Sequence, residues 1–118
     1  MPFSPGRPIE DAQAELFKAL AHPVRVRVLE LLAERDHTMG ELALRTGFEL
    51  SHLSQHVTQL RRTGIVDSRR VRTSVLCTLR DPQTAELLAC ARRLIGNNLR
   101  QDQAMLRALT GEAAGGGS

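Results

Sequence analysis

From Ile9 onward the apolar residues Ile9, Ala12, Leu16, Ala19 and Leu20 recur at three- and four-residue spacing as far as His22-Pro23. That spacing predicts a helix with one buried face. Pro8 suits its first turn, and Pro23 ends it because a residue before proline avoids helical geometry; Pro23 then suits the first turn of the next helix. There Val24, Val28, Leu31 and Leu32 form the apolar stripe, with Arg25, Arg27, Glu30 and Glu34 largely off it, and the helix is expected to run to about Arg35.

Thr38 followed three residues later by Glu41 fits a capping box, which predicts a short helix carrying Leu42 and Ala43 and stopping at Gly47. After Phe48-Glu49-Leu50, Ser51 is expected to cap a helix that turns Leu53, Val57 and Leu60 inward and ends at Gly64. Two short helices around a tight glycine-containing turn read as a helix-turn-helix. From Ile65 the period changes to two. Ile65-Val66 and the alternating Val75, Cys77 and Leu79 read as two strands, with the arginine-rich stretch from Asp67 to Thr73 as a basic tip. Asp81-Pro82 then supplies an N-cap and a first-turn proline for a last helix carrying Leu88, Ala91, Leu94, Ile95, Leu99, Leu106 and Leu109. Gly96-Asn97 leaves open whether that helix is continuous. The pattern gives a mainly α fold with a small β-hairpin, a winged helix-turn-helix over residues 8–110, with a flexible N-terminus at 1–7 and a disordered tail at 111–118.

A chain of 118 residues with 42% hydrophobic and 25% charged residues is expected to form one domain whose core requires neither metal nor disulfide. No apolar run approaches the roughly 18 residues of a membrane span, and MPFSPGRP lacks the apolar centre of a signal peptide. A cytoplasmic location without membrane attachment is the expectation. The net charge is only +3, but it is unevenly placed: Arg61, Arg62, Arg69, Arg70, Arg72 and Arg80 face a single acid, Asp67, between Ser51 and Arg80. Lys18 is the one lysine of the chain. Planar guanidinium groups bridge phosphate oxygens or guanine edges in pairs, so the cluster points to a nucleic acid.

The strings LAHPVRVRVLELL, GELA and LSHLSQHVTQLRRTGIV, followed by the arginine-rich hairpin, resemble the arsenic-repressor (ArsR/SmtB) family of bacterial transcription factors. The resemblance spans Leu16 to Leu79. It implies a homodimer joined through the first and last helices, two recognition helices in successive major grooves, and a palindromic double-stranded DNA operator. Inward Leu53, Val57 and Leu60 leave Ser51, His52, Ser54, Gln55 and Gln59 outward, where hydroxyls and amides can read base edges and Gln suits adenine. By the resemblance, Ser51, Ser54 and Gln55 stand where family members touch the major groove. Arg61 and Arg62 either counter the helix dipole or meet the duplex. Arg69, Arg70 and Arg72 are expected at phosphates or in the minor groove. The family's wings usually turn on an Asp-Gly-like pair, and this chain has Val71-Arg72 instead.

The resemblance raises the question of a sensor. Arsenic and cadmium sensors carry Cys-x-Cys in the third helix, where this chain has GELALRTG, and of the zinc-type ligand positions only Asp81 survives, beside Gln83, Leu94 and Asn97. No metal site and no cofactor are expected. His52 and His56, four apart, fit a base, phosphate or packing role better than a metal; His22 and His37 read as solvated or capping residues. Cys77 and Cys90 are expected to be small buried apolar groups. The alternative is a repressor that responds to oxidants or persulfides through this pair. No phosphate loop, nucleophile elbow or His-Glu metal motif suggests an enzyme.

Overall fold

The structure, a computed structural model, describes residues 6–111. The expected loose ends therefore lie outside the described residues apart from Gly6, Arg7 and Gly111, and Arg7 pairs with Glu15 at 3.0 Å. The elements run α1 (Ile9–Leu20), α2 (Pro23–Glu34), β1 (His37–Thr38), α3 (Met39–Thr46), α4 (Leu50–Arg62), β2 (Val66–Val71), β3 (Ser74–Leu79) and α5 (Gln83–Thr110). They fall into two compact units, one ending at Ala85 and one beginning at Glu86.

In the first unit the core is aliphatic. Val28, Leu29, Leu31, Leu42, Leu53 and Leu60 are all but completely buried, each contributing about 1.5–3 kcal/mol by leaving water. Leu29 was not part of the stripe read from the sequence; α2 is buried over a broader arc than one row. Conversely Ile9, expected on the buried stripe of α1, is exposed.

The capping box is present. Thr38 Oγ1 accepts from the Glu41 amide at 3.1 Å, and Glu41 Oε1 accepts from the Thr38 amide at 3.2 Å. The Thr38 backbone bond, then the Arg35 guanidinium, hold the Glu41 carboxyl below its ordinary pKa. At the other end Gly47 takes the left-handed backbone (φ 74°) that closes α3. Ser51, expected to cap α4, does not: Glu49 occupies that position without a side-chain bond, and Ser51 lies inside the first turn.

The sheet has three strands in the order β1-β3-β2, all antiparallel. The two-residue strand β1 is too short to leave a periodic signal, so the sequence yields only the β2–β3 hairpin. Its register sets His37 opposite Cys77 and Thr38 opposite Leu76. His37 is thus completely buried rather than solvated in a turn; its Nδ1 lies 3.4 Å from Glu41 Oε2 without hydrogen-bond alignment, and neither ring nitrogen is hydrogen-bonded. The architecture of this unit is a winged helix-turn-helix, with α3 and α4 as the helix pair and β2–β3 as the wing.

In the second unit α5 continues without a break through Gly96-Asn97. Asp81 Oδ1 accepts from the Gln83 amide at 2.9 Å just ahead of it, as its sequence predicts. Leu88 is buried, whereas Leu94, Ile95, Leu99, Met105, Leu106 and Leu109 are all more than half exposed.

Candidate nucleic-acid interface

Helix α4 turns about 100° per residue, so its burial pattern is a map of its two faces. Leu53, His56, Val57 and Leu60 are buried and occupy one arc. Ser51, Ser54, Gln55, Gln59 and Arg62 are exposed on the opposite arc, with exposed His52 at its edge. Thr58, half-buried, lies among them and was missed; its four-residue spacing from Ser54 was the available signal. The outward row is small, polar and uncharged until Arg62, suited to hydrogen bonding with base edges.

Behind that row sits a cluster the sequence did not reveal. Arg25 of α2 donates from Nε to His56 Nδ1 at 3.1 Å and from Nη1 to the Ala19 carbonyl at 3.2 Å. His56 Nε2 lies 3.3 Å from His52 Nε2. The His22 ring packs on His56 with centroids 4.2 Å apart, and its Nδ1 caps α2 by accepting from the Val24 amide. Desolvation first, then the neighbouring His22, Arg25 and His52, lower the pKa of His56 and keep its ring neutral. His22 therefore is a capping residue, and His56 packs inward.

The wing differs from the predicted one in detail. Its arginines belong mostly to strand β2 rather than to a tip: Arg69 pairs with Leu76 and Arg70 with Val75. Successive strand residues alternate faces, so Arg69 and Arg70 project to opposite sides of the wing. Only Arg72 is in the turn, where it adopts a left-handed backbone (φ 58°). Thr73 beside it keeps negative φ, the sign pattern of a turn whose first central residue is ordinarily glycine. The lone acid of the region is neutralised, since Arg80 donates to Asp67 Oδ1 from Nη2 at 2.7 Å and from Nε at 3.0 Å. Arg61 reaches from α4 to Ser68 Oγ at 2.9 Å, tying helix to wing. Arg62, Arg69, Arg70 and Arg72 remain exposed, and none is in an ion pair among the described residues.

Cys77 is completely buried and its thiol donates to Met39 Sδ at 3.5 Å; burial pushes its pKa up to about 11. Cys90, expected to be buried, is exposed on α5, and both thiols are free. No group of three or more His, Cys, Asp or Glu side chains among the described residues is arranged to hold a metal ion, and no described helix is long and apolar enough to cross a membrane.

Residues 22–68 match the family described as bacterial regulatory protein, arsR family. The chain is 45% identical over 103 residues to the uncharacterized HTH-type transcriptional regulator Rv0081 of Mycobacterium tuberculosis, covering 86% of this chain and 90% of that protein. The crystal structure of Rv0081 matches with a TM-score of 0.76 over 84% of this chain and all of that one, at 44% identity. The transcriptional activator HlyU of Vibrio cholerae is 31% identical over 102 residues, covering 80% of this chain and 94% of its own. A homodimeric winged helix-turn-helix domain, Mb0332 of Mycobacterium bovis, matches with a TM-score of 0.72 at 26% identity, over 83% of this chain and 95% of that one. Further matches carry the name repressor.

Proposed function

Because the chain belongs to the arsR family of bacterial regulatory proteins, we propose that it is a sequence-specific repressor that binds a palindromic DNA operator as a homodimer. The observation that carries the reading is the face of α4: an uncharged hydrogen-bonding row from Ser51 to Gln59, held rigidly by fully buried Leu53 and Leu60, with unpaired arginines on the adjoining wing. In this reading Ser51, His52, Ser54, Gln55 and Gln59 meet the major groove. Arg62, Arg69, Arg70 and Arg72 meet phosphates or the minor groove, Arg69 and Arg70 from opposite sides of the wing.

Dimerisation is supported by apolar surface. Phe17 on α1 and six large residues along α5 from Leu94 to Leu109 are each more than half exposed, more than an isolated soluble domain ordinarily leaves to water. A two-fold pair would cover them with their own symmetry copies and present two recognition helices to two half-sites. The thiol-responsive alternative on Cys77 and Cys90 has weaker support, because a buried thiol with a pKa of about 11 is not a thiolate near neutrality.

The test is a binding selection on random duplexes followed by titration against salt. Gln55→Ala is expected to relax preference at one base position, losing roughly 1–3 kcal/mol of discrimination. Arg70→Ala is expected to weaken binding to every sequence and to reduce the salt slope by about one. Equal loss on all sequences for Gln55→Ala would contradict the assignment. Loss of the gene should raise transcript from the bound promoter; a fall would make the protein an activator, as the Vibrio relative is named.

A further inference from the structure

The hydrogen bonds behind α4 determine where the protons of two histidines must sit. The Arg25 guanidinium is always charged, and its Nε–H can only donate. His56 Nδ1, 3.1 Å away, must therefore offer its lone pair. A neutral imidazole has one N–H, so the His56 proton is on Nε2, the atom 3.3 Å from His52 Nε2. Two N–H groups cannot face each other, which makes His52 Nε2 the acceptor and leaves the His52 proton on Nδ1. Around this chain His22 accepts through Nδ1 from the Val24 amide, the Phe48 ring meets His52 edge-on, and α1 supplies the Ala19 carbonyl to Arg25. The same accounting argues against a metal on the His52–His56 pair, since His56 would have to surrender its Nε2 proton while Arg25 occupied its other nitrogen.

We propose that Arg25 and His56 form a relay that fixes His52 as a hydrogen-bond donor, through Nδ1–H on an exposed ring, to an acceptor atom of the bound duplex. This rests on the reading that α4 meets DNA. His52 is the specificity-determining group, and His56 and Arg25 are positioning residues that touch no DNA themselves. Without the relay, the ring could present either nitrogen with either a proton or a lone pair, and the same side chain would serve donors and acceptors alike. Protonation of His56 would place an N–H against the Arg25 N–H and break the relay at its first link, so the discrimination weakens in acid.

The test combines tautomer spectroscopy with binding selection, both on the full chain. Long-range imidazole nitrogen–proton correlation spectra of the free protein are expected to show His56 protonated on Nε2 and His52 on Nδ1, with the His52 pattern altered in His56→Phe and Arg25→Leu. The wild-type spectrum alone overturns the proposal if His52 holds its proton on Nε2, even should both variants fail to fold. In the selection, His52→Ala is expected to lose roughly three- to tenfold in affinity, the range of one hydrogen bond. A loss confined to one base position is the expected result and assigns the acceptor to a base edge; a uniform loss, which would assign it to a phosphate, overturns the specificity role of His52. An unchanged affinity for every duplex overturns the proposal. If wild-type protein binds no duplex at low salt, the DNA reading fails as well, whatever the spectra show.

Discussion

Leu53→Ala and Ser54→Ala, adjacent substitutions on α4, separate the buried backing of that helix from its proposed reading face. Leu53 has no exposed surface, and alanine removes three of its carbons. At about 0.8 kcal/mol per buried carbon the transfer loss is about 2.4 kcal/mol. A cavity that the surrounding core cannot fully close raises it to about 3–4 kcal/mol, inside the range typical of buried leucines. Domains of this size are stable by only about 5–15 kcal/mol, so the variant loses a large share of its stability. The melting temperature should fall by roughly 10–20 °C. Ser54 is exposed in a helix interior, where alanine is the better helix former, so Ser54→Ala should melt within about 2 °C of wild type. Calorimetry at one fixed protein concentration, which the proposed dimer requires, reads the first effect. Fluorescence anisotropy on a selected duplex at a temperature where both variants are folded reads the second. Ser54→Ala should bind DNA more weakly than Leu53→Ala there. The reverse order, or a Leu53→Ala melting point within about 4 °C of wild type, would refute the division of the helix into a buried and a reading face.

Thr38→Ala removes half of a reciprocal cap and should cost about 1 kcal/mol in urea unfolding, with Thr38→Ser close to wild type. Arg72→Gly relieves a left-handed backbone and should stabilise the fold by up to about 1 kcal/mol while weakening DNA binding; a variant that is both less stable and equally tight would contradict the turn geometry. The lowered pKa of His56 makes protons bind more readily to the unfolded chain, so its contribution is intact above the ordinary value of 6.5 and is lost as pH falls from there through the lowered folded value. Urea midpoints measured between about pH 8 and pH 5 should drop in wild type and drop less in His56→Phe, a window that stays above the titration of Glu41, whose pKa is held below 4.5.

What the sequence disclosed and what it hid divide along physical lines. Helix ends written in capping chemistry were legible: Thr38 with Glu41, Gly47, Pro23 and Asp81 mark boundaries that the structure keeps within a residue or two. The buried arc of α4 followed from period alone, and with it the outward residues. Features that arise from tertiary contact were not legible. The strand β1 exists only because β3 pairs with it, and His37 is buried only because that ladder carries it inside. The Arg25–His56–His52 chain joins residues 31 positions apart, for which local spacing has no signature. Ser51 reads as a cap because caps are commonly serine, yet the chain enters the helix two residues earlier, at Glu49. The stretch from Asp67 to Thr73 reads as a basic tip between two alternating strands, whereas the β2–β3 ladder carries Arg69 and Arg70 as strand residues.

Thr38 belongs to two structures at once: it opens α3 and it is the rung opposite Leu76 on β3. The wing is accordingly no free-swinging flap, because its inner strand is laced to the very residue that starts the helix pair. A duplex meeting wing and helix α4 together finds both already in place and has little of the protein to order. Calorimetric titration should then show a heat-capacity change explained by the contact surface alone, without the additional decrease that accompanies folding of a loose segment on its target.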